Sequence, residues 1–161
     1  MQRKSRNVLA GLVAVVLMAA LYCTGTAEEY GPLTEDIWVL CQPDSFVYIR
    51  EKPSGRSAQA GYAECGDMFE TDGKKKNGFL HVYGYFEAGE GWISLGYIVW
   101  EKPERVFDTK HIESKGRVNA RRTVDGKRRC WLQNGDEIKV YWMAEWAVTN
   151  KGFIKAEYIG E

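Results

Sequence analysis

Two segments of the chain end in the same way, "GWISLGYI" at 91–98 and "GFIKAEYI" at 152–159. Gly91, Ile93, Tyr97 and Ile98 recur as Gly152, Ile154, Tyr158 and Ile159, and Trp92 is matched by Phe153. The likeness reaches further back. "VYIREKPSGR" (47–56) precedes the first ending and "VNARRTVDGK" (118–127) the second. Each segment then carries a Gly-Asp pair, in "CGDMF" (65–69) and "NGDEI" (134–138), followed by an aromatic-rich run, "FLHVYGYF" (79–86) or "VYWMAEW" (140–146). Two copies spaced roughly 60 residues apart are too few and too long for a solenoid, whose units run about 20–50 residues. The pattern predicts a pair of small domains.

Within each copy, short β-type runs alternate with turn signals every several residues, and no stretch after residue 27 sustains a helical period. That is the signature of an all-β chain built from small barrels. The expected organisation is a tether and first strand at 28–40, a first barrel at 41–99, a linker at 100–115 with Val106 and Phe107 free to pack on a neighbouring barrel, and a second barrel at 116–161.

The first 27 residues belong to neither copy. Arg3, Lys4 and Arg6 precede the uncharged apolar run "VLAGLVAVVLMAALYC" (8–23), and Gly25 and Ala27 offer a small-residue cleavage site before Glu28. These are the three parts of a secretory signal. The run is shorter than the ~20 residues a spanning helix needs, which favours cleavage over a retained membrane anchor. Lipid attachment at Cys23 is a third reading, disfavoured by the bulky Tyr22 before it. All three place the remainder outside the cytoplasm, secreted or in the cell envelope, with membrane contact only through this segment.

Charge excludes one class of partner. There are six Lys/Arg against eight Asp/Glu between 41 and 99, and nine against six between 116 and 161. So modest a basic excess in an exported chain argues against nucleic acid. Cys41, Cys65 and Cys130 remain after cleavage, so any single disulfide leaves one thiol over. Cys41 and Cys65 lie within one copy, and an oxidising compartment would allow them to bond, closing a loop that stabilises by about 3 kcal/mol. A reducing habitat would leave them open.

The joint order "VYIREKPS…GD…GWISLGYI" and "VNARRT…NGDEIKVY…EWAVT…GFIKAEYI" resembles bacterial SH3-like (SH3b) domains, with their "NVR-x-x-P" opening, central Gly-Asp turn and closing "G-W-[VI]-x-x-x-Y-[LIV]". The first copy keeps Arg50 and Pro53 but has Tyr48 where Asn is usual; the second keeps Val118, Asn119 and Arg121 but lacks the Pro. The resemblance implies two SH3-like barrels in tandem. Alternation then assigns Ile49, Met68, Val82, Ile93 and Ile98 to one core, and Val118, Ile138, Val140, Val148, Ile154 and Ile159 to the other. Gly66 and Gly135 are expected at positive φ, with Asp67 and Asp136 bonding local amides.

No catalytic constellation is legible. His81 lies in a β-type run, His111 in the linker, and no third group orients either toward Cys65 or Cys130. Neither a zinc-ligand spacing nor a phosphate loop is present, so no cofactor is expected. The richer signal is aromatic, with six Trp, nine Tyr and six Phe. In SH3-like barrels such rings form a shallow groove for extended peptides. The resemblance puts Trp92 and Tyr97 near that groove, with Phe153 and Tyr158 as second-copy equivalents and Tyr48, Tyr85, Trp142 and Trp146 as neighbours. Basic loops at 74–76 and 121–129 offer contact with anionic wall polymers or lipid head groups. The function expected is a non-catalytic binding protein whose ligand class, from the resemblance, is peptidoglycan or its peptides. The alternative is a structural adaptor that docks a partner protein outside the cytoplasm.

Overall fold

A computed structural model of the protein describes residues 35–84 and 87–160. The signal segment, most of the tether and Tyr85 lie outside the described residues. The fold is all-β, with two sheets and no α-helix among the described residues. The first sheet comprises β1 (Glu35–Val39), β2 (Phe46–Arg50), β3 (Gln59–Glu64), β4 (Met68–Thr71), the short β5 (Lys75–Lys76), β6 (Phe79–Tyr83), β7 (Glu90–Ser94) and β8 (Ile98–Val99). The second comprises β9 (Glu104–His111), β10 (Val118–Arg121), β11 (Arg128–Leu132), β12 (Glu137–Met143), β13 (Trp146–Thr149) and β14 (Gly152–Lys155). A turn of 3-10 helix follows β7 at Leu95–Tyr97 and β14 at Ala156–Tyr158.

Strand order is β3-β2-β7-β6-β4-β1-β8 in the first sheet and β11-β10-β14-β13-β12-β9 in the second. The duplication is therefore one of topology as well as of sequence, and it is longer than the motif shows. The segment expected as a linker is strand β9. It pairs with β12 as β1 pairs with β4, and Val106 packs on the second core while Phe107 stays 52% exposed. Phe107 sits at φ 51° beside the register shift between Val140 and Trp142. This bulge turns its ring onto Tyr141, 5.6 Å away.

Neither sheet closes into a barrel by hydrogen bonds. After the Gly-Asp turn, β4 turns away from β3 to pair with β1 and β6, so β3 and β8 remain edges. Each sheet nonetheless wraps one core. Ile37, Ile49, Leu80, Val82 and Ile93 fill the first; Ile112, Val118, Ile138, Val140 and Ile154 fill the second. Burying each of these aliphatic side chains contributes about 1.5–3 kcal/mol. Met68, expected inside, is 51% exposed, because on β4 it is Phe69 and Thr71 that face inward. Val148 joins a third cluster, and Ile159 is half-buried against the second core.

The repeated residues hold the two sheets in the same way. Gly66 and Gly135 take φ 94° and 84°. Their N–H groups donate to Val39 and Ile112 carbonyls, and Asp67 and Asp136 each accept a 2.8 Å hydrogen bond, from the Glu64 and Gln133 amides. The Gly of each ending is fixed by close approach. A Cβ on Gly91 would lie 2.5 Å from Ile49 Cγ2, and one on Gly152, at φ 124°, would run into the Arg121 carbonyl oxygen. Arg50 and Arg121 each donate from Nη1 to a carbonyl in the loop that follows, Ser57 at 3.1 Å and Gly126 at 2.7 Å.

The third cluster joins the copies. Leu40 and Val99 of the first pack with Trp146, Val148 and Phe153 of the second. The Gly96 carbonyl accepts from the Val124 amide at 2.8 Å, and Gln42 Nε2 donates to the Thr149 carbonyl at 3.3 Å.

Candidate functional site

The pleat of β2 sets the site. Val47 and Ile49 point into the first core, so Phe46, Tyr48 and Arg50 point outward. β3 lies alongside with Tyr62 opposite Tyr48. Three rings gather there. Phe46 meets Tyr48 edge-on at 5.1 Å between centroids and Tyr62 at 6.0 Å. All three are exposed, Tyr62 to 62%. The Arg50 guanidinium, already tied to its loop, lies 4.7 Å from the Tyr48 ring centroid.

Beside these rings runs a groove of about 470 Å³. Phe46, Tyr48, Arg50, Phe79, Ser94 and Tyr97 of the first copy line it, together with Arg122 and Phe153 of the second. Flat rings give contact area at low entropic cost, and two guanidinium groups offer donors at the edge. The arrangement suits an extended chain carrying carbonyl or carboxylate groups.

The residues predicted from sequence divide sharply. Tyr48 and Tyr97 line this groove; Tyr97 also reaches the shared cluster, 6.3 Å from the Phe153 ring. Trp92 does not line it. It packs at a tilt of 51° on His81, its cross-strand partner, with ring centroids 4.9 Å apart. Phe153, 1% exposed, reaches the wall of this groove from within the buried cluster where the copies meet, and Trp146, buried in the same cluster, borders the second-copy groove that Tyr158 also lines. Trp142 packs its ring edge over Gly66, 3.1 Å from where a Cβ would stand. Tyr158 lines a separate groove in the second copy. Phe46 and Tyr62 were missed by sequence reasoning. Strict alternation through "SFVYIR" would have placed Phe46 outward, but the ring of Tyr62 is recruited by cross-strand register, which no local pattern states.

Cys41 and Cys65 are free thiols in contact, with the Cys41 amide donating to Cys65 Sγ at 3.3 Å. β1 and β4, paired through Trp38 and Met68, bring them together. A hydrogen bond from the Cys65 thiol lowers the pKa of Cys41, against the opposing effect of burial. The same bond, with burial, pushes Cys65 up. Cys130 is a half-buried free thiol.

His81 belongs to a structural network. Asp72 Oδ2 is 2.7 Å from Lys74 Nζ and 3.2 Å from His81 Nδ1, and accepts from the Tyr83 hydroxyl at 3.1 Å. Burial pushes the Asp72 carboxyl up, but hydrogen bonds from Lys74, Tyr83 and His81 more than offset this and hold it well below the usual carboxylate range. Of the basic loop residues, Lys74 is held by Asp72, Arg121 by its loop carbonyl, and Arg128 lies 4.0 Å over the Trp131 ring. Among the described residues, no group of three or more His, Cys, Asp or Glu is placed to hold a metal ion.

No protein-family model and no curated protein matches the sequence. Among solved structures, the chain is similar to NlpC1 from Trichomonas vaginalis, with TM-score 0.37 and 12% identity over 84% of this chain and 48% of that one. It is also similar to NlpC2 from Trichomonas vaginalis, with TM-score 0.34 and 12% identity over 80% and 48%. The chain thus spans less than half the length of either protein.

Proposed function

We propose that this chain is an exported, non-catalytic binding protein of the cell envelope, built from two SH3-like modules, whose first-copy groove holds an extended peptide of the wall polymer. The observation that carries this reading is the exposed cluster of Phe46, Tyr48 and Tyr62 at the rim of a groove that also offers Arg50 and Arg122. Exposed rings at van der Waals contact are costly to leave wet and gain most from a flat partner. Peptidoglycan or its peptides is the ligand class drawn from the SH3b resemblance of the two endings, and the N-terminal apolar run supports delivery outside the cytoplasm.

Binding here needs no bond making. A peptide laid along the groove would stack on Tyr48 and Tyr97 and offer carbonyls to Arg50 and Arg122. Weak contact of this kind gains by repetition along a polymer. The test is a pelleting assay of the full chain with purified peptidoglycan sacculi, at low and high salt. Saturable pelleting that survives high salt, and falls about tenfold with Tyr48→Ala or Tyr62→Ala, is the expected result. Pelleting lost at high salt and indifferent to both changes would move the contact to the basic loops. A chain that ignores sacculi at either salt sinks the reading and favours docking of a partner protein.

A further inference from the structure

We propose that the second copy carries a groove of its own, chemically distinct from the first, whose ligand is a peptide bearing a free side-chain carboxylate. This deepens the reading of the first groove as a peptide site and rests on it, because the two would read different parts of one chain.

The second groove, of about 270 Å³, is lined by Arg117, Asn119, Arg121, Lys155 and Tyr158 among others. The fold fixes its position relative to the first. Register and hydrogen bonding make β10 the counterpart of β2, and the turn at Ala156–Tyr158 the counterpart of Leu95–Tyr97. Tyr158 therefore stands where Tyr97 does, while Asn119 replaces Tyr48, Arg117 replaces Phe46 and Lys155 replaces Ser94. Each of these three exchanges puts a hydrogen-bonding or cationic group where the first copy has a ring or a small hydroxyl.

Two features say what such a groove takes. First, Asn119 Oδ1 is buried without a hydrogen-bond partner. Val118 and Ala120 on either side point into the core, so Asn119 faces the groove. An unpaired carboxamide oxygen is costly to bury, and with no bond fixing it the carboxamide can turn to present either its oxygen or its nitrogen to the groove. A peptide group offers both N–H and C=O, so it satisfies the carboxamide in either orientation of the amide. Second, the free charge is positive. Among the described residues lining the groove there is no acid. Arg121 is partly engaged with Gly126, and Arg117 leans toward Trp131 at 5.8 Å. Among the described residues the Lys155 ammonium pairs with Glu157, at 4.0 Å, with both side chains more than half exposed, and that carboxylate also accepts a hydrogen bond from the Tyr158 hydroxyl. An exposed pair of that length is weak, and a carboxylate held in the groove would compete for Lys155 and Arg117 through charge-assisted bonds.

The test is an NMR titration of the full ¹⁵N-labelled chain in a nonionic detergent, with two probes: acetyl-Gly-Gly-Glu-amide and acetyl-Gly-Gly-Gln-amide. The Glu peptide is expected to shift the amides of 117–121 and 155–158 saturably, and the Gln peptide to bind about tenfold more weakly. Lys155→Gln and Arg117→Gln should erase that preference while leaving the rest of the spectrum in place, and Asn119→Ala should weaken both peptides alike. Equal affinity for the two peptides, shifts confined to 46–50 and 94–97, or no saturable shift in the second groove would each overturn the proposal. Failure of the first groove reads separately, as shifts at 117–121 with none at 46–50 and no sacculus pelleting.

Discussion

The hairpin β6–β7 of the first copy and the hairpin β13–β14 of the second present the same face to opposite fates. By register, His81 and Trp92 correspond to Val148 and Phe153. All four side chains point away from the core of their own sheet. In the second copy that face is covered by Leu40 and Val99 of the first and becomes the shared cluster. In the first copy it stays partly exposed, and the rings of His81 and Trp92 pack against one another at a tilt. Duplication therefore preserved what each sheet needs to fold, namely the Gly-Asp turn, the inward aliphatics and the anchoring Arg. It let the outer faces diverge, one into an interface and the other into a polar network.

The largest expected effect breaks this comparison directly. Phe153→Ala should cost about 3–5 kcal/mol, the range for emptying a buried aromatic site. Trp92→Ala, at the matching strand position, should cost under about 2 kcal/mol, since part of that ring is already in water. Urea unfolding of both variants measures the difference; equal losses would mean that the Phe153 face is not buried between the copies.

A second effect follows from Asp72, whose place in the second copy is taken by the neutral Tyr141. Because hydrogen bonds depress the Asp72 pKa in the folded state, the stability it contributes is fully present above the unfolded carboxylate pKa of about 4 and is lost as pH falls through the folded value. Acid unfolding from neutral pH downward should therefore be steeper in the parent chain than in Asp72→Asn. Parallel curves would remove the network from the stability of the first copy.

The smallest effect sharpens the likeness. The amide of Cys41 donates to Cys65 Sγ, and at the equivalent place the amide of Ser114 donates to Asn134 Oδ1 at 2.9 Å. The two pairs fill one structural slot. Cys65→Asn should then change stability by no more than about 1 kcal/mol, the worth of one such hydrogen bond. A larger loss on thermal unfolding would give the thiol pair a role beyond that slot.

Sequence legibility follows the range of the forces involved. The Gly-Asp turns were readable because positive φ and the carboxylate bond are local, and both depend on residue type. Ile49, Val82 and Ile93 were readable because a period of two names the inward face. Met68 was misplaced because a four-residue strand offers either parity, and pairing of β4 with β1 chose Phe69. Residues 100–115 read as a linker because Glu104–His111 is an edge strand with a mostly exposed pattern; its strand character comes from β12 alongside it.

The candidate site was half legible. Tyr97 could be named from the repeated ending and Tyr48 as a neighbour of the groove, and both line it. Nothing local marks Phe153 and Trp146 as buried, since their own sheet leaves them outside. The sequence by itself determined two copies of one pattern of strands and turns, the Gly-Asp turns that hold them and most of each core, because these depend on backbone preference and alternation over a few residues. Only the tertiary structure decided which outer face would be covered and which rings would meet across strands. It likewise left one groove aromatic and the other basic and polar. Those outcomes rest on contacts between segments far apart in the chain, where burial is set by the neighbour and not by the residue.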